Sequence, residues 1–390
     1  DTKAFAVLMK KAEFMNEPYT AFCDGKPAMS FLDGAAKYEG AFEALVAGEY
    51  QAERIDNDAF MDLSVRANFL TFITGGFDAR FFNALDGDEY TVTKRSTKKE
   101  KIRAEYQFYH LLPEDMKMWF VMPYDYKEDE NGSSYTMERF HMTDIAIRFV
   151  HGAVDEEELK DILDKLFYFI RLRAEVSANE GRKIADELYI DKLKARMDEL
   201  KKYEQYAWFD SMIKMGTAYK SVEDVVAKYE ALYQKLAGAN IRKYDRLAVG
   251  HGDLCFSNIL YSREAEVLKL IDPKGALKEE DLYTDPYYDL AKLSHSICGC
   301  YDFFNSGLYE ISIKRDLKLE LTVDADNEAY KEIFRQYLKQ NGYRYDLVRL
   351  YEASLFLSML PYHMDQPGKV FGFLLNAINI LDEVEACTKD

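Results

Sequence analysis

The spacing of apolar residues changes several times along this chain, and each change marks a different kind of structure. Residues 1–66 hold Ala-rich stretches such as DGAAKYEGAFEALVAGEY, which predict a mainly helical leading segment. From about residue 68 to 140 the runs shorten and become β-rich. FLTFIT and RFFNAL flank the glycine turn TGGFDA, and Asp86-Gly87 is a hairpin signal leading into YTVTKRS. MWFVMPYDY and SYTMERF follow, joined by KEDENGS, whose Asn131-Gly132 favours a tight turn. Before them lies a predicted helix, KKEKIRAEYQFYHLL, stopped by Pro113. Strand, strand, strand, helix, strand, strand predicts an antiparallel sheet with one helix packed on it.

From about 142 to 245 the spacing is helical. Leu159, Ile162, Leu163, Leu166 and Phe167 recur at three and four residues, an amphipathic stripe. The charges of IADELYIDKLKARMDELKKYEQYAWF read as a solvated helix face. Two short apolar segments, LAVGHGDL and NILYSREAEVLKLIDPKG, break the run between 246 and 275. Beyond 285 the pattern is helical again, interrupted by an alternating, charge-rich stretch at 312–326. The expected architecture is therefore α+β in three parts: a leading segment over 1–66, a small sheet lobe over 67–140 and a mainly helical lobe over 141–390.

Composition narrows the function classes. The 390 residues carry a formal net charge of −18, so no clustered positive field favours nucleic acid or an anionic membrane surface. Hydrophobic residues make up 48%, enough for a large core. No run reaches the roughly 18 apolar residues of a membrane span, and a cytoplasmic protein is the expectation. Five cysteines are too few and too irregularly spaced for a disulfide scaffold or a four-ligand zinc site.

The segment with chemistry in it is His251-Gly252-Asp253-Leu254-Cys255-Phe256-Ser257-Asn258, followed by Ile271-Asp272-Pro273. An Asp five residues before an Asn, on a loop between β-type segments, suits phosphoryl transfer. The carboxylate orients the attacking hydroxyl while the amide oxygen reaches a metal. A second acid at the end of the next strand, after VLKLI, supplies an anionic ligand to Mg²⁺.

In HGDLCFSNIL and IDPKG the chain resembles the phosphotransferase family of aminoglycoside phosphotransferases and choline kinases, which share a bilobal protein-kinase-like fold. The resemblance implies ATP or another NTP as donor, Asp253 as catalytic base, and Asn258 and Asp272 as Mg²⁺ ligands. Such a fold also needs a glycine turn over the phosphates, a strand lysine and a helix glutamate. Gly75-Gly76 fall between the first two strands, and Lys94 lies in the third, where alternation puts it on the face of Val92 and favours it over Arg95. Glu105 lies eleven residues on, beside the apolar stripe of the helix, with Glu100 as its rival. The resemblance further makes Met137-Glu138-Arg139-Phe140 the hinge, with Glu138 and Phe140 near the nucleobase. Asp289, in DPYYDLA, becomes a support for the catalytic loop, and His251 an anchor within it.

The implied activity is transfer of the ATP γ-phosphate to a hydroxyl of a sugar, aminocyclitol or similar small alcohol. A choline-type kinase is the alternative, with Tyr301, Phe303 and Phe304 as candidate cage aromatics. A non-catalytic binding module is a further one. A protein kinase fits less well: position 252 is Gly, and only thirteen residues separate Asp285 from Asp272. The basic run Lys94–Arg103 is the expected source of positive charge for the nucleotide.

Overall fold

The computed structural model describes residues 83–388 apart from 89, 239–241 and 316, together with the backbone of four strands in the leading segment. Those strands are β1 (Tyr19–Cys23), β2 (Lys26–Leu32), β3 (Ala35–Lys37) and β4 (Glu53–Asp56), in the order β3-β2-β1-β4. They correct the expected helix for those residues. Asp24-Gly25 and Asp33-Gly34 each separate two strands by two residues, and both dipeptides are hairpin signals that outweigh the local alanine content. The rest of 1–66 lies outside the described residues, as does the first predicted strand, FLTFIT.

The sheet lobe has the order β5-β6-β8-β7, from β5 (Asn83–Gly87), β6 (Thr91–Ser96), β7 (Pro123–Asp129) and β8 (Gly132–Glu138). All its pairings are antiparallel. In β6 the side chains of Val92, Lys94 and Ser96 point inward and their neighbours outward, the period of two that a half-buried strand requires. Helix α1 (Lys99–Leu111) packs on β7 and β8 through Ile102, Glu105 and Phe108, which share its buried face. MWFVM is not strand, contrary to its apolar look. Trp119–Val121 instead pair with Leu270 of the helical lobe and stitch the two lobes together.

In the helical lobe the predicted stripe forms α2 (Glu156–Leu172), capped by Asp155, whose carboxylate accepts the Glu158 N–H at 2.8 Å. Leu159, Ile162, Leu163, Leu166 and Phe167 are all fully buried. Further along the chain, α3 (Lys192–Leu200) and α4 (Val222–Leu236) pack with α6 (Tyr345–Met359) and α7 (Pro367–Cys387) around a second core. Between them runs α5 (Tyr288–Ile297). Two three-stranded sheets frame the segment from His251 to Asp272. One is β10 (Glu175–Ser177), β11 (Arg246–Val249) and β14 (Tyr283–Thr284); the other is β9 (Thr143–Asp144), β12 (Ile259–Ser262) and β13 (Val267–Leu270). The charge-rich stretch near 312–326 is a hairpin of β15 (Tyr309–Ile313) and β16 (Leu319–Val323). Among the described residues no helix is long and apolar enough to cross a membrane.

His295, Cys298 and Cys300 are core residues. The His295 ring stacks on Tyr301 and meets Phe356 edge-on, both at 4.2 Å between centroids, and neither ring nitrogen has a hydrogen-bond partner among the described residues. Burial and the nearby Lys292 ammonium hold this imidazole well below its usual pKa. The unfolded chain therefore takes up a proton below about pH 6.5 that the folded chain refuses, so stability is complete above that pH and is lost as pH falls. His295→Phe should raise stability near neutrality by about 1 kcal/mol and flatten the acid-side loss. Urea unfolding at neutral and mildly acidic pH checks this; an unaltered acid-side loss would show that His295 does not cause it.

Candidate active site

The segment from His251 to Asn258 owes its shape to a few polar anchors. The carboxylate of Asp289, in the first turn of α5, accepts the backbone N–H of His251 at 2.9 Å and of Gly252 at 2.8 Å. Arg173 pairs with the same carboxylate at 3.2 Å, and both side chains are buried. The imidazole of His251 bridges forward: Nδ1 accepts the Asp253 N–H at 3.2 Å, so Nε2 carries the proton and donates to the Ile271 carbonyl at 2.9 Å. Burial depresses its pKa, consistent with a neutral ring that ties the Asp253 loop to the end of β13.

Asp253 and Asn258 meet across this loop. Asn258 Nδ2 donates to the Asp253 carbonyl at 2.8 Å and to Asp253 Oδ2 at 3.2 Å. With the amide nitrogen so occupied, Asn258 Oδ1 is oriented away from these bonds. Asp272 follows β13 in a left-handed backbone conformation, φ 55°, which turns its 44%-exposed carboxylate into the space between the lobes.

Lys94 reaches this place from the opposite lobe. Its ammonium lies 2.7 Å from Glu105 Oε2 and 2.8 Å from Asp272 Oδ1. Burial opposes its charge, but Asp272 and Glu105 more than offset that, and the net shift of its pKa is upward. Tyr135, the cross-strand partner of Lys94, donates its hydroxyl to Glu105 Oε2 at 3.1 Å. The rivals face elsewhere: Arg95 and Glu100 are exposed. Gly275, at φ +95°, lets the segment after Asp272 touch α1. A Cβ there would fall 2.8 Å from the Ala104 backbone carbon and 2.9 Å from the Glu105 nitrogen. The helix that carries Glu105 is thereby docked on the segment that carries Asp272.

Of the hinge residues, Glu138 ends β8 and is exposed, and Phe140 lies under the Lys269 ammonium at 5.4 Å. Met137, Val121 and Leu270 line the cleft wall beside Asp272. Gly75 and Gly76 fall outside the described residues. The basic run supplies less charge than its sequence promises: Lys94 faces the site, whereas Arg103 pairs with Glu128 at 2.7 Å. The cage aromatics are also otherwise occupied, since Phe303 and Phe304 are buried in the core and Tyr301 is stacked on His295.

Sequence reasoning missed Lys292 as well as Arg173. Lys292 Nζ lies 2.9 Å from Asp253 Oδ1, and only 14% of its side chain is exposed. Burial works against the ammonium, yet Asp253 and Tyr288 raise its pKa overall. The available signal was its place three residues after Asp289, on the same face of one helix.

The oxygens of Asn258 and Asp272 suit a hard cation that keeps its remaining positions for phosphate and water. That need is met without a cluster of three or more acidic, His or Cys ligands, and none exists among the described residues.

A model of the phosphotransferase enzyme family matches residues 70–304, more than half of the chain. No curated protein matches the sequence. Among solved structures, the chain is similar to a thermostable mutant of aminoglycoside phosphotransferase APH(4)-Ia in ternary complex with ADP and hygromycin B. That match has 12% identity, covers 82% of this chain and 98% of the other, and has a TM-score of 0.47. It is also similar to APH(3'')-Id from Streptomyces rimosus with ADP and streptomycin, at 16% identity, 77% and 98% coverage and a TM-score of 0.41. A third, the streptomycin-ATP-APH(2")-IIa ternary complex, has 14% identity, 83% and 97% coverage and a TM-score of 0.41.

Proposed function

The chain belongs to the phosphotransferase enzyme family, and from that premise we propose that it transfers the ATP γ-phosphate to a hydroxyl of a sugar, aminocyclitol or similar small alcohol. The observation that carries this reading is a single convergence. Lys94 of the sheet lobe lies on Asp272 of the helical lobe, and Asp272 is tied through Ile271 and His251 to Asp253.

Asp253 acts as base. Lys292 pairs with Oδ1, and Oδ2, which also accepts the Asn258 amide at 3.2 Å, takes the hydrogen bond of the acceptor hydroxyl and aligns its oxygen. As the new O–P bond forms, the bond from the γ-phosphorus to the ADP leaving oxygen breaks and the hydroxyl proton passes to Asp253. Lys94, held by Glu105, meets the nucleotide phosphates. Asn258 and Asp272 would hold Mg²⁺, which would supply neutralisation of the charge developing on the phosphates. Gly75 and Gly76 cover the phosphates, and the backbone around Glu138 and Phe140 borders the nucleobase. His251 and Asp289 support the loop without touching substrate.

The test is an acceptor panel of sugars, aminocyclitols, aminoglycosides and choline, read as ADP release from Mg-ATP. At least one small alcohol should stimulate release, and chelation of the metal should abolish it. Silence across the panel together with transfer to a generic protein substrate would replace this reading with a protein kinase.

A further inference from the structure

The side of Asp253 that faces Lys292 opens onto a cluster of cations. Tyr288 sits four residues before Lys292 on α5 and is 4% exposed. Its hydroxyl accepts a hydrogen bond from Lys192 Nζ, on α3, at 3.1 Å, and that ammonium also lies 5.6 Å from the ring centroid. Lys274 arrives from the segment after Asp272. Its backbone N–H donates to the His251 carbonyl at 2.9 Å, and its side chain lies over Gly252, where a Cβ would come within 2.6 Å of Lys274 Cβ. Gly252, at φ +80°, leaves room for this stem.

Lys192 is thus bonded to a phenol one helical turn from Lys292, and Lys274 lies on the neighbouring Gly252 loop. Burial alone would raise the Tyr288 pKa, but Lys292, Lys192 and Lys274 together bring it below its usual value. Lys292 is matched by Asp253. Among the described residues Lys192 and Lys274 form no ion pair with any carboxylate, although acids outnumber bases 69 to 51 in the chain. Both are solvent-accessible, Lys192 partly and Lys274 freely, so their charge is presented to an incoming molecule. A cationic acceptor would meet like charge here, whereas an anion would be drawn in and held by point-charge contacts.

We infer that the acceptor carries a negatively charged group, a carboxylate or a phosphate, close to its reacting hydroxyl, and that Lys192 and Lys274 hold that group. The inference rests on the kinase reading above. The reaction is unchanged in balance: the acceptor oxygen bonds to the γ-phosphorus, the bond to the ADP leaving oxygen breaks, and the hydroxyl proton goes to Asp253. The products are ADP and a phosphate ester that retains the acceptor's own anionic group.

The experiment uses the full chain with Mg²⁺ and a non-hydrolysable ATP analogue, so that the donor site is filled. Calorimetry then compares inorganic phosphate, galacturonate, galactose 6-phosphate, galactose and galactosamine. At least one anionic probe should bind saturably and more tightly than the neutral and cationic sugars, and the stronger of the two anionic sugars identifies the group as carboxylate or phosphate. Lys192→Gln and Lys274→Gln should each weaken that probe on the order of 10-fold while nucleotide affinity moves less than about twofold, and Lys192→Arg should retain binding. Absence of anion binding, undiminished binding in the Lys192→Gln/Lys274→Gln variant, or preference for galactosamine would each overturn the inference. None of those results touches the kinase reading, which fails separately if Mg-nucleotide does not bind or if turnover survives Asp253→Asn.

Discussion

Asp253→Asn is expected to lower kcat roughly 10²–10⁴-fold while changing Mg-nucleotide affinity little, the range in which a positioned base contributes. The substitution keeps the shape of the side chain and removes the charge. Asn258 Nδ2 and Lys292 Nζ are donors aimed at the two different oxygens of this carboxylate, and an amide in its place can offer its oxygen to only one of them. The acceptor hydroxyl then loses the group that takes its proton. Lys292 keeps an ammonium that is only 14% exposed and has lost its carboxylate, so some loss of stability accompanies the loss of rate. Thermal unfolding separates the two: the variant should remain folded at the assay temperature, with nucleotide binding as the internal control. Turnover equal to the original protein would remove Asp253 from the mechanism.

Lys94→Met has the second-largest expected effect, and it acts on both binding and folding. The lysine ammonium is buried between Glu105 and Asp272. Asp272 is 44% exposed and can be solvated once alone, whereas the Glu105 side chain is 1% exposed and cannot. Breaking a buried pair from one side costs about 3–5 kcal/mol because the remaining charge is left uncompensated. Nucleotide affinity and kcat should each fall by roughly tenfold or more, since the phosphates lose a charge-assisted contact. The informative partner is Lys94→Met/Glu105→Gln. A neutral amide at 105 still accepts the Tyr135 hydroxyl, so most of the stability should return while nucleotide binding stays weak. Recovery of binding along with stability would show that Lys94 only supports the fold.

These effects were legible to different degrees in the sequence, for physical reasons. A period of two placed Lys94 on the buried face of β6, and a period near 3.6 placed Glu105 between Ile102 and Phe108. The α2 stripe was legible in the same way. The segment from His251 to Asp272 was legible because its residues lie near one another in the chain. Its anchors were partly so: Asp289 shows in DPYYDLA, but Arg173 lies 116 residues away and nothing local points to it. Lys292, Lys192 and Lys274 belong to three separate segments, and only packing brings their charges together around Tyr288. The strands of the leading segment were misread because alanine content was weighed above two Asp-Gly reversals. MWFVM was misread because a strand of the sheet lobe and a segment bridging two lobes bury the same kinds of side chain.

The electrostatic picture changes accordingly. A net charge of −18 is compatible with a cationic acceptor when only the sum is known. The structure distributes it unevenly: Lys292 pairs with Asp253, while among the described residues the nearby Lys192 forms no ion pair with a carboxylate. Net charge governs approach over long distances, but contacts within a few ångströms decide which acceptor is held.

The central claim is that Asp253, Asn258, Asp272 and Lys94 form one phosphoryl-transfer centre. It is tested most directly by single-turnover transfer from γ-labelled Mg-ATP, with the original protein and Asp253→Asn compared side by side on an acceptor found in the panel. The account predicts label on the acceptor hydroxyl with the original protein and a rate for the variant lower by roughly 10²–10⁴-fold at equal nucleotide occupancy. Equal rates of labelled-ester formation by the two proteins would contradict it.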